Sequence, residues 1–148
     1  MARFGDGRAM SVLVVTPAAT WVREPSSASA VRAQLEGHLR GRYESIALTP
    51  SARLWVGDVL SQQVDEPNAL ASALVAFLQL PVRQHRGTAC ISGWTDQRAR
   101  PLTAVQDRAF TQALRAVVAM PAYLALHAQA GRVAAAWDTP ATNLRSAP

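Results

Sequence analysis

The stretch Gly87-Thr-Ala-Cys-Ile-Ser-Gly93 carries a clear β-strand signal. Its middle is apolar, and a glycine stands at each end, where the chain leaves the strand for a turn. A short apolar run bounded in this way is typical of a strand that is buried on both faces. We therefore predict that it is a central strand of a sheet.

The segment after this strand predicts a long helix. Thr103-Ala-Val-Gln106 is a capping box in its Thr/Gln form, in which each side chain satisfies a backbone N–H at the start of the helix. Apolar residues at helical spacing come next, and they predict one buried stripe: Val105, Ala109, Phe110, Ala113, Leu114, Val117 and Val118. Pro121 interrupts this helix, and residues 122–137 are expected to form a second one.

Upstream of the central strand, the chain begins with a predicted strand pair. Ser11–Val15 is β-branched, and Thr20–Arg23 alternates, with a turn at Pro17 between them. A helix is expected next, capped by Ser26 or Ser27 and running to about Leu39.

Two further strands and a helix complete the predicted order. Tyr43–Leu48 has the pattern of a half-buried strand, with Tyr43, Ser45 and Ala47 on one side, and Arg53–Val56 is expected to pair with it. Asp65-Glu-Pro-Asn68 supplies a helix cap, and Ala69–Leu80 is apolar enough to be a buried helix.

This order of elements predicts an α+β fold, with a small, mainly antiparallel sheet packed against helices and a C-terminal helical pair. At 148 residues the chain has room for one domain. We assign that domain to residues 1–137. Residues 138–148 hold two prolines and little periodicity, which predicts a flexible tail.

The sequence points to a cytoplasmic protein without a membrane span. The longest nearly apolar run, 69–82, is shorter than the roughly 20 residues that a spanning helix needs, and the N-terminus lacks the apolar core of a secretion signal. A single cysteine, Cys90, cannot form an internal disulfide, which agrees with a reducing compartment.

The charge is strongly basic, with a net value of +5, and every basic residue apart from the histidines is arginine. Such a bias is typical of a GC-rich genome, so we assign it to composition before we assign it to a polyanion partner. The absence of lysine excludes a P-loop and any Schiff-base mechanism.

No familiar catalytic or cofactor motif is present. The three histidines, His38, His85 and His127, have no partner at metal-ligand spacing, and the carboxylates form no acid–base pair. Cys90 lies mid-strand, where a thiol is usually a small buried apolar group. We therefore expect a protein that is not an enzyme and holds neither metal nor cofactor. An enzyme whose site lies outside the known motifs is a further alternative to the two binding functions given below.

One cluster of cationic and aromatic residues has the chemistry of a ligand site. Guanidinium groups suit phosphate or carboxylate, and an indole can stack on a base. The candidates flank the central strand: Arg83, His85, Arg86, Trp94, Arg98 and Arg100. The competing interpretation is that they lie in solvated loops of an arginine-rich chain.

Several short motifs resemble a small uncharacterised domain family of phages, plasmids and their bacterial hosts. They are Asn68 with Ala71, the segment Arg86–Gly93, and Leu102-Thr-Ala-Val-Gln106, within a region that runs from Ser11 to about Phe110. The resemblance implies a mobile-element origin, but it brings no established activity or site residues.

Two functions are expected on these grounds. The first is a small binding protein of a phage or mobile element that acts on a host protein or defence component. The alternative is a nucleotide-binding or nucleic-acid-binding protein that uses the Arg/Trp cluster. The sequence leaves the oligomeric state open.

Overall fold

The computed structural model describes residues 10–57, 66–81 and 85–121. Within these ranges the strands are β1 Ser11–Val15, β2 Trp21–Pro25, β3 Tyr43–Thr49, β4 Ala52–Gly57, β5 Ala89–Thr95 and β6 Arg98–Arg100. The helices are α1 Val31–Leu39, α2 Ala69–Phe77 and α3 Ala104–Val118. The predicted α+β class, with an antiparallel sheet packed against helices, is confirmed.

The sheet is antiparallel, with the strand order β2-β1-β5-β4-β3. Leu13 of β1 and Leu54 of β4 both pair with Ile91, which places β5 in the middle of the sheet, as predicted. The strand runs from Ala89 to Thr95, so Gly93 lies inside it and does not end it as the sequence had predicted. The short strand β6 pairs with the end of β5, beyond the part that β1 covers.

The pleat of the strands sends alternate side chains to opposite faces, and helices cover both. On one face Leu13, Leu54 and Ile91 form the main core with α2 and α3. On the other face Val14 and Cys90 belong to a smaller core beneath α1. The strand alternation predicted for residues 43–48 is also observed, because Ile46 and Leu48 pack on the first face while Tyr43 packs on the second.

Two helices are shorter than the sequence predicted. The serines before α1 form a turn instead of the helix start: Ser27 Oγ accepts a hydrogen bond from the Ala30 N–H at 3.1 Å, and α1 begins at Val31. Helix α2 starts as predicted, with Asn68 as its cap, but ends at Phe77 because Gln79 adopts a left-handed φ of 61°.

The capping box of α3 is confirmed. Thr103 accepts from the Gln106 N–H, and the Gln106 side chain accepts in return from the Thr103 N–H. The predicted stripe is partly wrong. Leu114 and its apolar neighbours Phe110 and Val117 are buried, but Val105 is 71% exposed and Val118 is 39% exposed.

The stripe differs because two polar residues, Asp107 and Thr111, take buried positions on α3. Arg23 of β2 holds the Asp107 carboxylate in a fork, with Nε 2.7 Å from Oδ2 and Nη2 2.6 Å from Oδ1. The Ser11 hydroxyl donates to Oδ2 at 2.5 Å, and Thr111 Oγ1 donates to Oδ1 at 3.3 Å. A charged network therefore fixes the rotation of α3 against β1 and β2.

Several predictions fall outside the described residues. These are the second C-terminal helix at 122–137, the tail at 138–148 and, with them, the end of the assigned domain. None of the helices within the described ranges is long and apolar enough to cross a membrane.

Truncation of Leu114 tests the orientation of α3. Leu114 has no exposed surface, so Leu114→Ala leaves a cavity in the main core and should lower the free energy of unfolding by about 2–4 kcal/mol. Val105→Ala on the same helix removes an exposed side chain and should change the free energy of unfolding by less than about 0.5 kcal/mol. Urea denaturation of both variants measures the difference, and equal losses would contradict this orientation.

The Asp107 network predicts a pH-dependent stability. The hydrogen bonds from Arg23 hold the pKa of Asp107 below its usual range against the opposing effect of burial, and Ser11 adds to the lowering. A lowered folded pKa means that the stabilisation is complete above the unfolded pKa, near 3.8, and is lost as pH falls through the folded pKa.

We therefore expect Asp107→Asn to lose about 1–3 kcal/mol at neutral pH, because Arg23 and Ser11 lose a charged acceptor. The difference between this variant and the wild type should shrink as the pH falls below about 4. The exposed turn residue Asp96, changed to Asn, serves as the control and should stay within about 0.5 kcal/mol of the wild type. Urea denaturation series between neutral and acidic pH supply the measurement.

Candidate functional site

The predicted Arg/Trp cluster is divided between the two ends of β5. Arg83 lies outside the described residues. His85 is buried just before the strand, where its backbone N–H donates to Ser72 Oγ at 3.2 Å. Arg86 forms an antiparallel bridge with Pro67. These residues lie at the end of β5 next to the start of α2.

The remaining members of the cluster lie at the other end of β5. Trp94 is near the end of that strand, and Arg98 and Arg100 belong to β6, a short strand that the sequence did not predict. Strand β5 is seven residues long, which at about 3.3 Å per residue is roughly 20 Å, and it holds the two groups apart. The structure therefore does not bring Arg86 and Arg98 to one ligand.

Strand β6 forms because the chain reverses in a tight two-residue turn. Asp96 and Gln97 both have left-handed backbones, with φ of 54° and 59°, and Thr95 pairs with Arg98. Positive φ at both central residues is the geometry that suits a two-residue hairpin. The turn lacks the glycine that usually marks this geometry in a sequence.

The pleat of this hairpin also separates the tryptophan from the arginines. Trp94 pairs with Ala99, which packs in the core under α1. Arg98 and Arg100 alternate with Ala99, so their register places them on the opposite face. The geometry replaces the predicted cluster with a different set of neighbours for Trp94.

Three aromatic side chains line up across the sheet on the α1 face. The ring centroids of Tyr43 and Trp55 are 5.8 Å apart with planes at 66°, and those of Trp55 and Trp94 are 5.9 Å apart with planes at 50°. Each ring comes from a different strand, namely β3, β4 and β5. We call these three residues the aromatic row.

Polar contacts fix the orientation of the row. The Trp55 indole N–H donates to Ser92 Oγ at 2.8 Å, and the guanidinium carbon of Arg53 lies 4.3 Å from the ring centroid of Trp94. Arg53 Nη1 also donates to Ser45 Oγ at 3.0 Å. The cation–π contact holds a positive charge against the row.

A groove of about 510 Å³ runs between α1 and this part of the sheet. Tyr43 and Trp55 line it from the sheet, Arg32 and Leu35 line it from α1, and the β5–β6 turn closes it at residues 97–99. Arg98 also borders it, next to the turn, although its strand register starts its side chain on the other face. We call it the aromatic groove. Its volume lies within the range of small-molecule sites.

The electrostatics of the aromatic groove favour an anion. Arg32 and Arg98 line it, and the lining drawn from the described residues includes no carboxylate. Glu36 lies at the side, where it accepts from Tyr43 Oη at 3.3 Å and from Arg32 at 3.4 Å. Burial, with Glu36 next in effect, raises the pKa of Tyr43, so its hydroxyl remains a neutral donor.

Sequence reasoning missed Tyr43, Trp55, Arg53 and Arg32. The signal for the first three was the strand alternation itself, which places Tyr43 and Ser45 on one face of β3 and Arg53 and Trp55 on one face of β4. What the sequence did not contain was the pairing of β4 with β5, which aligns Trp55 with Cys90 and Arg53 with Ser92.

Nucleophilic and metal chemistry have little support in the described ranges. Cys90 is fully buried, and burial raises the pKa of its thiol to about 12, so it stays protonated. Within those ranges, no three His, Cys, Asp or Glu side chains cluster as metal ligands would.

Comparison with protein-family models, with curated proteins and with solved structures finds no match. The resemblance to a phage and plasmid family therefore stays a prediction.

Gly93 makes the hairpin beside the aromatic row possible. A Cβ added at Gly93 would lie 2.8 Å from the Pro101 carbonyl oxygen and 3.2 Å from that of Arg100. Gly93→Ala should therefore lower the free energy of unfolding by about 1–3 kcal/mol, since backbone atoms must move.

Gly37→Ala is the matched control for Gly93→Ala. Gly37 lies inside α1 with nothing within 4 Å of an added Cβ, so alanine should stabilise the protein by about 0.5–1 kcal/mol. Chemical denaturation of both variants should give opposite signs, and a neutral Gly93→Ala would show that Pro101 does not pack so closely.

Proposed function

We propose that this protein binds nucleotides or single-stranded nucleic acid in the aromatic groove, without catalysing a reaction. The observation that carries the proposal is the aromatic row on the sheet, with arginines on both sides of it. A half-exposed sheet face that presents aromatic rings is a common platform for unstacked bases.

The rings supply the part of the binding energy that does not depend on charge. Trp55 and Tyr43 are half-buried, so each offers part of its ring to a ligand while the sheet holds the rest. Stacking of a base on an aromatic side chain contributes about 1–3 kcal/mol, and it tolerates different bases. The groove therefore suits binding with little sequence preference.

The arginines supply the anion-binding part. Arg32 has 82% of its side chain exposed, and Arg98 lines the opposite end of the groove. Arg53 stacks on Trp94 and donates to Ser45, so it adds positive potential beside the row. A base between the walls would leave its phosphate within the field of these side chains.

The expectation of a host-protein partner and of a mobile-element origin stays a prediction, since none of the contacts in the groove bears on it. The same holds for the assignment to a non-enzymatic class. The protein-partner alternative enters the experiment below as a defined outcome, namely a wild-type protein that binds no nucleic-acid probe.

Binding is measured by fluorescence anisotropy of a labelled oligothymidylate about ten nucleotides long, with adenosine monophosphate as competitor. The double variant Arg32→Ala/Arg98→Ala should bind at least about 10-fold more weakly, because hydrogen bonds to charged groups contribute about 1.5 kcal/mol or more. The slope of log K against log salt should become shallower by about 1.4, as expected for two lost contacts to a single strand.

The double variant Arg40→Ala/Arg42→Ala removes the same charge from exposed positions beyond the end of α1 and is the control. It should retain the wild-type salt slope if binding is local to the groove. Equal weakening by both double variants would mean that only the net charge attracts the probe. No saturable binding by the wild type at about 50 mM salt would reject the proposal in favour of a protein partner.

A further inference from the structure

A second cleft lies on the face of the sheet opposite the aromatic groove. It has a volume of about 690 Å³ and is bordered by the β1–β2 hairpin and one flank of α3. Ser11 and Arg23 line it from the hairpin, and their register with Leu13 and Pro25 places them on the face that carries the main core. We call it the α3 cleft.

The floor of the α3 cleft is the Arg23–Asp107 fork. Each carboxylate oxygen of Asp107 already accepts two hydrogen bonds. Oδ2 accepts from Ser11 and Arg23, and Oδ1 accepts from Arg23 and Thr111. The negative charge is thus compensated within the protein. Arg23 engages the carboxylate through Nε and Nη2, and 55% of its side chain remains exposed, which leaves Nη1 free to donate to another acceptor.

Two more arginines stand on the α3 side of the cleft. Arg108 and Arg115 both line it, and they lie seven residues apart, which is two helical turns or about 10 Å along the axis. Neither forms an ion pair with any residue that the structure describes. Thr111 and Gln112 lie between them and add neutral hydrogen-bonding groups.

Apolar atoms also line the cleft. Met10 is 44% exposed at the edge of the cleft, and Pro25 and Ala104 line it as well. A site with three arginines, one internally neutralised carboxylate and an apolar border is complementary to a molecule that combines an anionic group with an apolar body.

We propose that the α3 cleft binds a small organic anion, a carboxylate or phosphate attached to an apolar or aromatic body, with Arg23, Arg108 and Arg115 as its anion-binding residues. The site is independent of the aromatic groove, from which the sheet separates it.

The probes are phenyl phosphate and benzoate, with benzamide as the neutral analogue of similar shape. In a ¹H–¹⁵N correlation titration of the whole chain, both anions should produce saturable shifts at the backbone amides of Ser11, Arg23, Arg108 and Gln112, whereas benzamide should not. The ratio of the affinity for phenyl phosphate to the affinity for benzoate distinguishes a phosphate site from a carboxylate site. The Trp55 indole N–H reports separately on the aromatic groove, so shifts there do not count for this cleft.

The double variant Arg108→Ala/Arg115→Ala should bind the preferred anion at least about 10-fold more weakly, since it loses two charge-assisted contacts. Its thermal midpoint should stay near that of the wild type, because neither side chain belongs to the buried core. Arg40→Ala/Arg42→Ala, with the same loss of charge, should bind like the wild type. Saturation by neither anion, equal binding of benzamide, or undiminished binding by the Arg108/Arg115 variant would overturn the proposal.

Discussion

The fold depends on one buried side-chain amide, that of Asn68. Its NH₂ group donates to the carbonyl of Val15 at 3.0 Å and to that of Gly87 at 2.8 Å, while its oxygen accepts from the Ala71 N–H at 3.0 Å. The end of β1, the approach to β5 and the first turn of α2 therefore meet at one residue with no exposed surface. Only an amide side chain supplies two donors and an acceptor in this space, and each group left unpaired there would cost about 1–3 kcal/mol.

Local chemistry explains which elements were predictable from the sequence. Alternation, glycine-bounded runs and caps are properties of neighbouring residues, and they located five strands and the three described helices. Strand β6 was missed because Asp96 and Gln97 adopt left-handed backbones without a glycine, and three residues are too few to show alternation. The exposed members of the predicted α3 stripe, Val105 and Val118, have a different cause. Asp107 is hydrogen-bonded to Ser11, which is 96 residues away in the chain. The spacing of apolar residues along a helix cannot indicate such a distant partner.

The same distinction explains the candidate site. Proximity in sequence to both ends of β5 suggested one Arg/Trp cluster, but the length of the strand keeps the residues before it apart from the residues after it. The aromatic row is instead assembled by strand pairing, from residues up to 51 positions apart. The short motifs behind the family resemblance have structural contacts here: Asn68 binds three backbone segments, and Gln106 Nε2 donates to the Ser51 carbonyl at 3.0 Å. Motifs whose residues make structural contacts can indicate a fold without indicating the ligand that it binds.

The position of the groove is a consequence of how little of the sheet one helix can cover. Five strands at about 4.8 Å spacing make a surface roughly 19 Å wide, whereas a helix with its side chains is about 10–12 Å across. On the main-core face two helices, α2 and α3, share this width. On the other face, α1 is the one helix within the described ranges, and its buried residues contact Val12, Val14 and Cys90 of β1 and β5. The edge strand β3 and its neighbour β4 therefore keep a partly uncovered strip beside α1. Aromatic side chains suit such a strip, because they cover much apolar area while they pack on one another, and the same rings remain accessible to a ligand from the open side.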